Sequence, residues 1–197
     1  MANREVILRP LRPSLVPVPA AGQMGICPVC HSSCPEEYTT CYPCRQASHL
    51  DPPSILPISM SIDREAVHRH LRMYKDAPDE LTRSRMSVRL AALLSVFMEN
   101  HAGCVGEWDV ATCVPSVQRT AMESVLARLN RFQGRTVSAL HAASGHGTRD
   151  LDADRFEVVT DVSGQRVLLL DDTFTTGATL FSGSPHRSVG GFGDHPR

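Results

Sequence analysis

A run of four apolar residues, Val167-Leu-Leu-Leu170, is cut off by two adjacent carboxylates, Asp171 and Asp172. Such a run is long enough for a strand buried on both faces, as in parallel sheets covered by helices on either side. The two acids then stand at the carboxyl end of a parallel strand. Behind them Thr173-Phe-Thr-Thr-Gly-Ala-Thr179 is rich in small and hydroxylated residues with one glycine. Its backbone N–H groups can close around an anion while threonine hydroxyls donate further hydrogen bonds. In open α/β sheets ligands bind in the crevice beyond the strand ends. Neighbouring carboxylates there suit sugar hydroxyls or a hydrated Mg²⁺, so the implied ligand is a phosphorylated sugar. The segment is not a nucleotide P-loop, which needs a second glycine and a following lysine.

The second constraint is a pair of C-x-x-C knuckles, Cys27-Pro-Val-Cys30 and Cys41-Tyr-Pro-Cys44, separated by ten residues. Two such knuckles direct four sulfurs to one point, the tetrahedral donor set of a structural Zn²⁺. Disulfides are the competing reading, disfavoured in a chain expected to be cytoplasmic. A redox C-x-x-C is the other, but it needs one knuckle in a thioredoxin-like setting. Cys34, His31 and His49 stand nearby as spare ligands. Zinc here folds a segment too short to build its own core and leaves no open coordination position for catalysis. Cys104 and Cys113 lie outside the cluster and read as buried small apolar groups.

The remainder is an ordinary globular composition: 42% hydrophobic residues and a net charge of −1 give no global pull toward nucleic acid or membrane. No stretch of eighteen apolar residues is present, and prolines at 10, 13, 17 and 19 interrupt the N-terminus, so no membrane insertion and a loose tail over residues 1–26 are expected. Asp63 is placed to cap a helix from Arg64 to about Lys75 with Val67, Leu71 and Tyr74 on one face. A second helix, from about Asp79 to His101, carries Leu81, Val88, Leu90, Leu93, Leu94 and Phe97 at helical spacings. Strands are expected over 108–114, 136–140 and 156–162, with a helix over 120–132. Residues 141–155, rich in Ala, Gly, His and Asp, are expected to form a mobile loop able to cover substrate.

The segment Arg166-Val-Leu-Leu-Leu-Asp-Asp-Thr-Phe-Thr-Thr-Gly-Ala-Thr179 resembles the phosphoribosyl-diphosphate (PRPP) signature of type I phosphoribosyltransferases. With the two knuckles, Leu71-Arg-Met-Tyr-Lys-Asp76, the Val114-Pro115 turn and Asp154-Arg155-Phe156, residues 27–180 resemble the ComF family of competence-associated phosphoribosyltransferase-like proteins. That resemblance implies an α/β fold, a parallel sheet flanked by helices behind a small zinc-ribbon-like segment. Its implied divisions are a tail at 1–26, a zinc segment at 27–50, a phosphoribosyltransferase-like domain at 51–181 and an atypical tail at 182–197. It implies PRPP and Mg²⁺ as ligands and transfer of ribose 5-phosphate to an acceptor with release of pyrophosphate. Asp171 and Asp172 would hold ribose hydroxyls or the metal. Thr173, Thr175, Thr176, Gly177, Ala178 and Thr179 would hold the 5′-phosphate, and Pro115, Ser116 and Arg119 the pyrophosphate. The other readings are a non-catalytic PRPP-binding or DNA-uptake protein with competence or DNA-processing partners, with direct nucleic-acid binding left open, and an inactive fragment.

Two departures from the family pattern stand out. Arg119-Thr-Ala-Met-Glu123 replaces an Arg-Gly-Phe-Asn-like segment after the Val-Pro turn. After Thr179 the family pattern continues into a helix and a strand, whereas Gly183, Pro185, Gly190, Gly191 and Gly193 forbid a helix of useful length. The expectation is a C-terminal truncation or frameshift.

Overall fold

The computed structural model describes residues 4–48, 55–115, 121–143, 151–174 and 177–182. In chain order the elements are α1 (Arg4–Leu8), α2 (Tyr42–Gln46), α3 (Ala66–Asp76), α4 (Glu80–Asn100), α5 (Ala102–Val105), β1 (Val110–Cys113), α6 (Ala121–Leu126), β2 (Leu140–Ala142), β3 (Phe156–Val158), β4 (Val167–Leu170) and α7 (Ala178–Ser182). They group into two units. The helical unit comprises Met1–Val18, Leu56–Gly106 and Arg119–Gln133; the cysteine–sheet unit comprises Pro19–Ile55, Glu107–Gln118 and Gly134–Arg197.

In the helical unit α4 starts where Asp79 accepts a hydrogen bond from the Thr82 N–H at 2.7 Å, satisfying one of the donors a helix start leaves open. The start of α3 is different. Asp63 does not cap it; its carboxylate instead lies 2.8 Å from His68. Glu65 occupies the cap position without a side-chain bond. The open Val67 N–H donates to Ser14 Oγ at 3.1 Å, so the cap is delivered from 53 residues upstream.

That contact belongs to a segment expected to be a loose tail. Leu8 and Leu11 are buried with Val67 and Ala92, packed by Leu71 and Val96. Residues 4–15 are therefore part of the helical core, because Leu8 and Leu11 pack with Val67 of α3 and Ala92 of α4. A second cluster joins Tyr74, Met86, Ala91 and Val125. Val67 and Tyr74 are buried as their spacing predicts, but Leu81 is 61% exposed. On α4 the deeply buried positions are Met86, Ser87, Ala91, Ala92, Leu94 and Met98. Cys104 is exposed and Cys113 half-buried, so neither is the buried apolar group expected.

In the other unit β1 and β4 pair in parallel, from Val110 opposite Val167 to Cys113 opposite Leu170. Thr136 extends the ladder by a parallel bridge to Ala111. The strand expected over 136–140 forms later, as β2 against the antiparallel β3. All four residues of β4 are half-buried rather than covered on both faces. Among the described residues its partner is β1 alone, so one edge lacks a neighbouring strand. The register is locked at one end by Arg166, whose guanidinium meets Asp109 at 2.9 Å and Glu107 at 2.7 Å while its N–H donates to Asp109 at 2.8 Å. At the other end the Val114 N–H donates to Leu170 O at 2.9 Å.

Of the substrate-covering loop expected over 141–155, residues 144–150 fall outside the described residues. His141 and Ala142 are in β2, and Ala153–Arg155 is a turn of 3-10 helix. Arg119 to Thr120 and the tail after Ser182 also lie outside them.

Candidate metal centre and acid loop

The four knuckle cysteines converge. Their sulfurs all lie within 4.8 Å of one another, with Cys30 and Cys41 at 3.5 Å. Four sulfurs at about 2.3 Å from a zinc ion are roughly 3.8 Å apart in a tetrahedron, so the cluster needs little contraction to hold such an ion. All four residues are at most 5% exposed.

The knuckles are built differently. The first is a tight turn, with the His31 N–H donating to Cys27 O at 3.0 Å and the Cys27 N–H to Ser32 O at 2.8 Å. His31 adopts a positive φ of 60° to close it. The second is the first turn of α2, where Cys41 and Cys44, three residues apart, share one helix face. Pro43 sits in that first turn, where no N–H is required. The spare ligands are engaged elsewhere: His31 Nδ1 is 2.9 Å from Pro19 O, and Cys34 donates to Tyr38 O at 3.4 Å. His49 lies outside the described residues.

The protonation states follow from burial and hydrogen bonding. At Cys27 burial pushes the thiol up, but donation from the backbone of Cys41, Cys30 and Val29 outweighs it and lowers the thiol to about 6. At Cys41 burial dominates and raises it to about 11; at Cys44 burial and the neighbouring Cys30 and Cys41 drive it well above the ordinary thiol range. A buried cluster of this kind resists accumulating thiolates on its own. A bound cation removes that resistance, because each thiolate then gains a positive partner. The chemistry offered is a closed, four-thiolate structural centre.

Asp171 and Asp172 stand half-buried just beyond β4, as the sequence predicts. Asp171 Oδ1 accepts the Asp172 N–H at 2.8 Å, which turns the chain sharply at the strand end. Pro115 follows Val114, which is tied to Leu170, so the parallel pairing brings Pro115 and Asp171 to the same end of the sheet. Thr173 is exposed, Thr179 half-buried, and Gly177 and Ala178 are buried. Ser116, Arg119, Thr175 and Thr176 fall outside the described residues.

Gly177 is required where it stands. Its φ is +75°, and a Cβ there would come within 2.5 Å of the Phe181 ring and 2.7 Å of the Phe174 ring. Those rings meet edge to face with centroids 5.9 Å apart. Neither aromatic was singled out from the sequence, although the Phe-x₂-Gly-x₃-Phe spacing places both around one glycine. Arg155 was noted only as part of a motif. It is 8% exposed, and its Nη1 has no hydrogen-bond partner among the described residues.

No family model, curated protein or solved structure matches this chain. Fold and site together define a mixed α/β protein with a small parallel sheet and a buried four-cysteine cluster fit for a metal ion. Among the described residues no helix is long and apolar enough to cross a membrane.

Proposed function

We propose that this chain is a zinc-bearing, phosphoribosyltransferase-like protein that binds PRPP with Mg²⁺. The observation that carries the reading is the parallel pairing of β1 with β4, which brings the Val114-Pro115 turn and the Asp171-Asp172 pair to one sheet end. Crevices beyond parallel strand ends are where α/β proteins take phosphorylated ligands. The resemblance of residues 166–179 to the PRPP signature supplies the ligand class.

In this reading Asp171 and Asp172 accept from ribose hydroxyls or hold the hydrated metal. The loop from Thr173 to Thr179 donates to the 5′-phosphate, and Pro115, Ser116 and Arg119 flank the pyrophosphate. Bound Mg²⁺, held by Asp171 and Asp172, would supply charge neutralisation for the leaving pyrophosphate, while the chain itself would contribute positioning and charge stabilisation as an acceptor nucleophile replaces pyrophosphate at C1. The four cysteines hold Zn²⁺ away from this chemistry.

Isothermal titration of PRPP with Mg²⁺ tests the reading. Wild type should bind, and Asp171→Asn combined with Asp172→Asn should lose most of that affinity. Equal binding by both proteins, or by neither, overturns it.

A further inference from the structure

The cysteine cluster and the acid loop share one hydrophobic core. Cys27, Cys30, Cys41 and Cys44 are buried in the same cluster as Leu180 and Phe181 of α7, and Phe174 packs against it from the loop. Val114, at the head of the opposite turn, packs against it too, as does Leu169 of β4. Both sides of the sheet end therefore rest on the residues that surround the metal ligands.

The link is tight where it matters. Phe181 is 1% exposed. The Phe181 N–H donates to Gly177 O at 2.8 Å, which closes the first turn of α7 over the glycine. Because Gly177 has no side chain, the two phenyl rings can meet directly above it. The far end of α7 is fixed as well, since the Asp152 N–H donates to Ser182 Oγ at 3.1 Å. The apolar side chains Phe174, Leu180 and Phe181 all belong to, or pack against, the cluster that holds the four cysteines.

From this we infer that the metal centre orders the residues behind the acids: a metal ion at the four cysteines sets the position of Phe174 and, through Phe181, of α7 and the Gly177 turn before it. Phe181 and Phe174 are positioning residues that carry the coupling. Where it concerns a phosphosugar, the inference rests on the function proposed above. The coupling itself does not. Coupling between two bound groups is reciprocal, so a ligand that orders the loop must tighten metal binding by the factor by which metal improves ligand affinity.

The test uses the full chain loaded with zinc and a zinc-selective chelator, following metal release by absorbance. The hydrophobic shell of a metal site controls solvent access to it, and changes in the shell around the ligands cost on the order of 10-fold or more in metal affinity, so Phe181→Ala should release zinc about tenfold faster than wild type. Phe181→Leu, which keeps most of the buried volume, should fall between them and carries the readout if Phe181→Ala does not fold. Phe132→Ala removes an equally buried ring from the helical unit; it should release zinc at the wild-type rate. Wild-type release from both Phe181 variants overturns the coupling, as does equal acceleration by Phe132→Ala. In a second arm PRPP with Mg²⁺ is added. Slower release in wild type, abolished by Asp171→Asn with Asp172→Asn, supports both the coupling and the ligand. No effect of PRPP, with faster release from Phe181→Ala, upholds the coupling and overturns the PRPP reading alone.

Discussion

The two units bury different things. Among the described residues, five of the seven largest fully buried side chains, Tyr74, Phe132, Leu11, Leu126 and Val125, belong to the helical unit, and two, Phe181 and Cys27, to the cysteine–sheet unit. The helical unit is held by ordinary apolar burial, at about 1.5 to 3 kcal/mol for each large side chain. In the other unit, among the described residues, five of the nine buried residues of the cluster around the metal ligands are cysteines. Sulfhydryls bury little area, and a two-stranded parallel sheet with a half-buried β4 adds little more. A cross-link at its centre would hold such a unit together, and the four cysteines are placed so that a metal ion would supply one. The difference teaches where each unit should fail: one by losing packing, the other by losing its ion.

The largest effect should follow from breaking the metal centre. Structural zinc contributes about 10 to 16 kcal/mol of binding in small zinc modules, as much as the whole stability of a typical domain. Purified under reducing conditions without chelators, the protein should carry one zinc per chain. Cys44→Ser should release it and remove amide protection from residues 25–47 and 167–182, while α3 and α4 stay protected. Hydrogen exchange read by mass spectrometry distinguishes this from general unfolding. Loss of protection in both units together would show that the units are not separable in this way.

A smaller effect, confined to the same unit, is expected at Gly177. Alanine there must hold a left-handed φ, which costs roughly 1 to 3 kcal/mol, and must also push apart the Phe174 and Phe181 rings. Gly177→Ala should lower the melting temperature of the cysteine–sheet unit only. An unchanged melt would mean that the rings move aside freely, which would weaken the comparison on its sheet side. The corresponding change in the helical unit is Asp79→Ala. Loss of that cap should cost about 0.5 to 2 kcal/mol in a chemical melt followed by helical circular dichroism, with zinc content unchanged.

How much of this was legible in the sequence follows the same division. Val167–Leu170, the acids behind it and the four cysteines sit where their spacing puts them, because each is a short local pattern. The parallel partner of β4 was not readable, since pairing with β1 joins residues 57 apart, such as Asp109 and Arg166. The cap on α3 was misread for the same reason: Asp63 is the local candidate, but Ser14 arrives from a distant segment whose prolines suggested a tail. Phe181 was passed over because the glycines after it spoke for the end of order, and only the packed structure reveals that its ring closes against the cysteine core. In each case the missed feature is a long-range contact between groups that look unremarkable in isolation.

The smallest expected effect is a pH dependence that only the helical unit should show through His70. This imidazole is 9% exposed, with Nδ1 2.6 Å from Ala66 O and Nε2 2.6 Å from Arg89. The neutral ring satisfies both, donating from Nδ1 and accepting at Nε2. A second proton would leave Arg89 facing a cation. Burial, with the charges of Arg89 and Arg69, holds the ring below its ordinary value of 6.5. The unfolded chain therefore binds a proton more readily than the folded one, and stability present above about pH 6.5 is lost as the pH falls below it. Near pH 7.5 the effect vanishes, which ranks it last. His70→Gln keeps a donor and an acceptor but cannot titrate. Denaturant midpoints of the helical unit at pH 7.5 and 5.5 should therefore fall in wild type and fall less in the variant. An equal fall in both would assign the acid sensitivity to other groups and leave the helical unit held by packing alone.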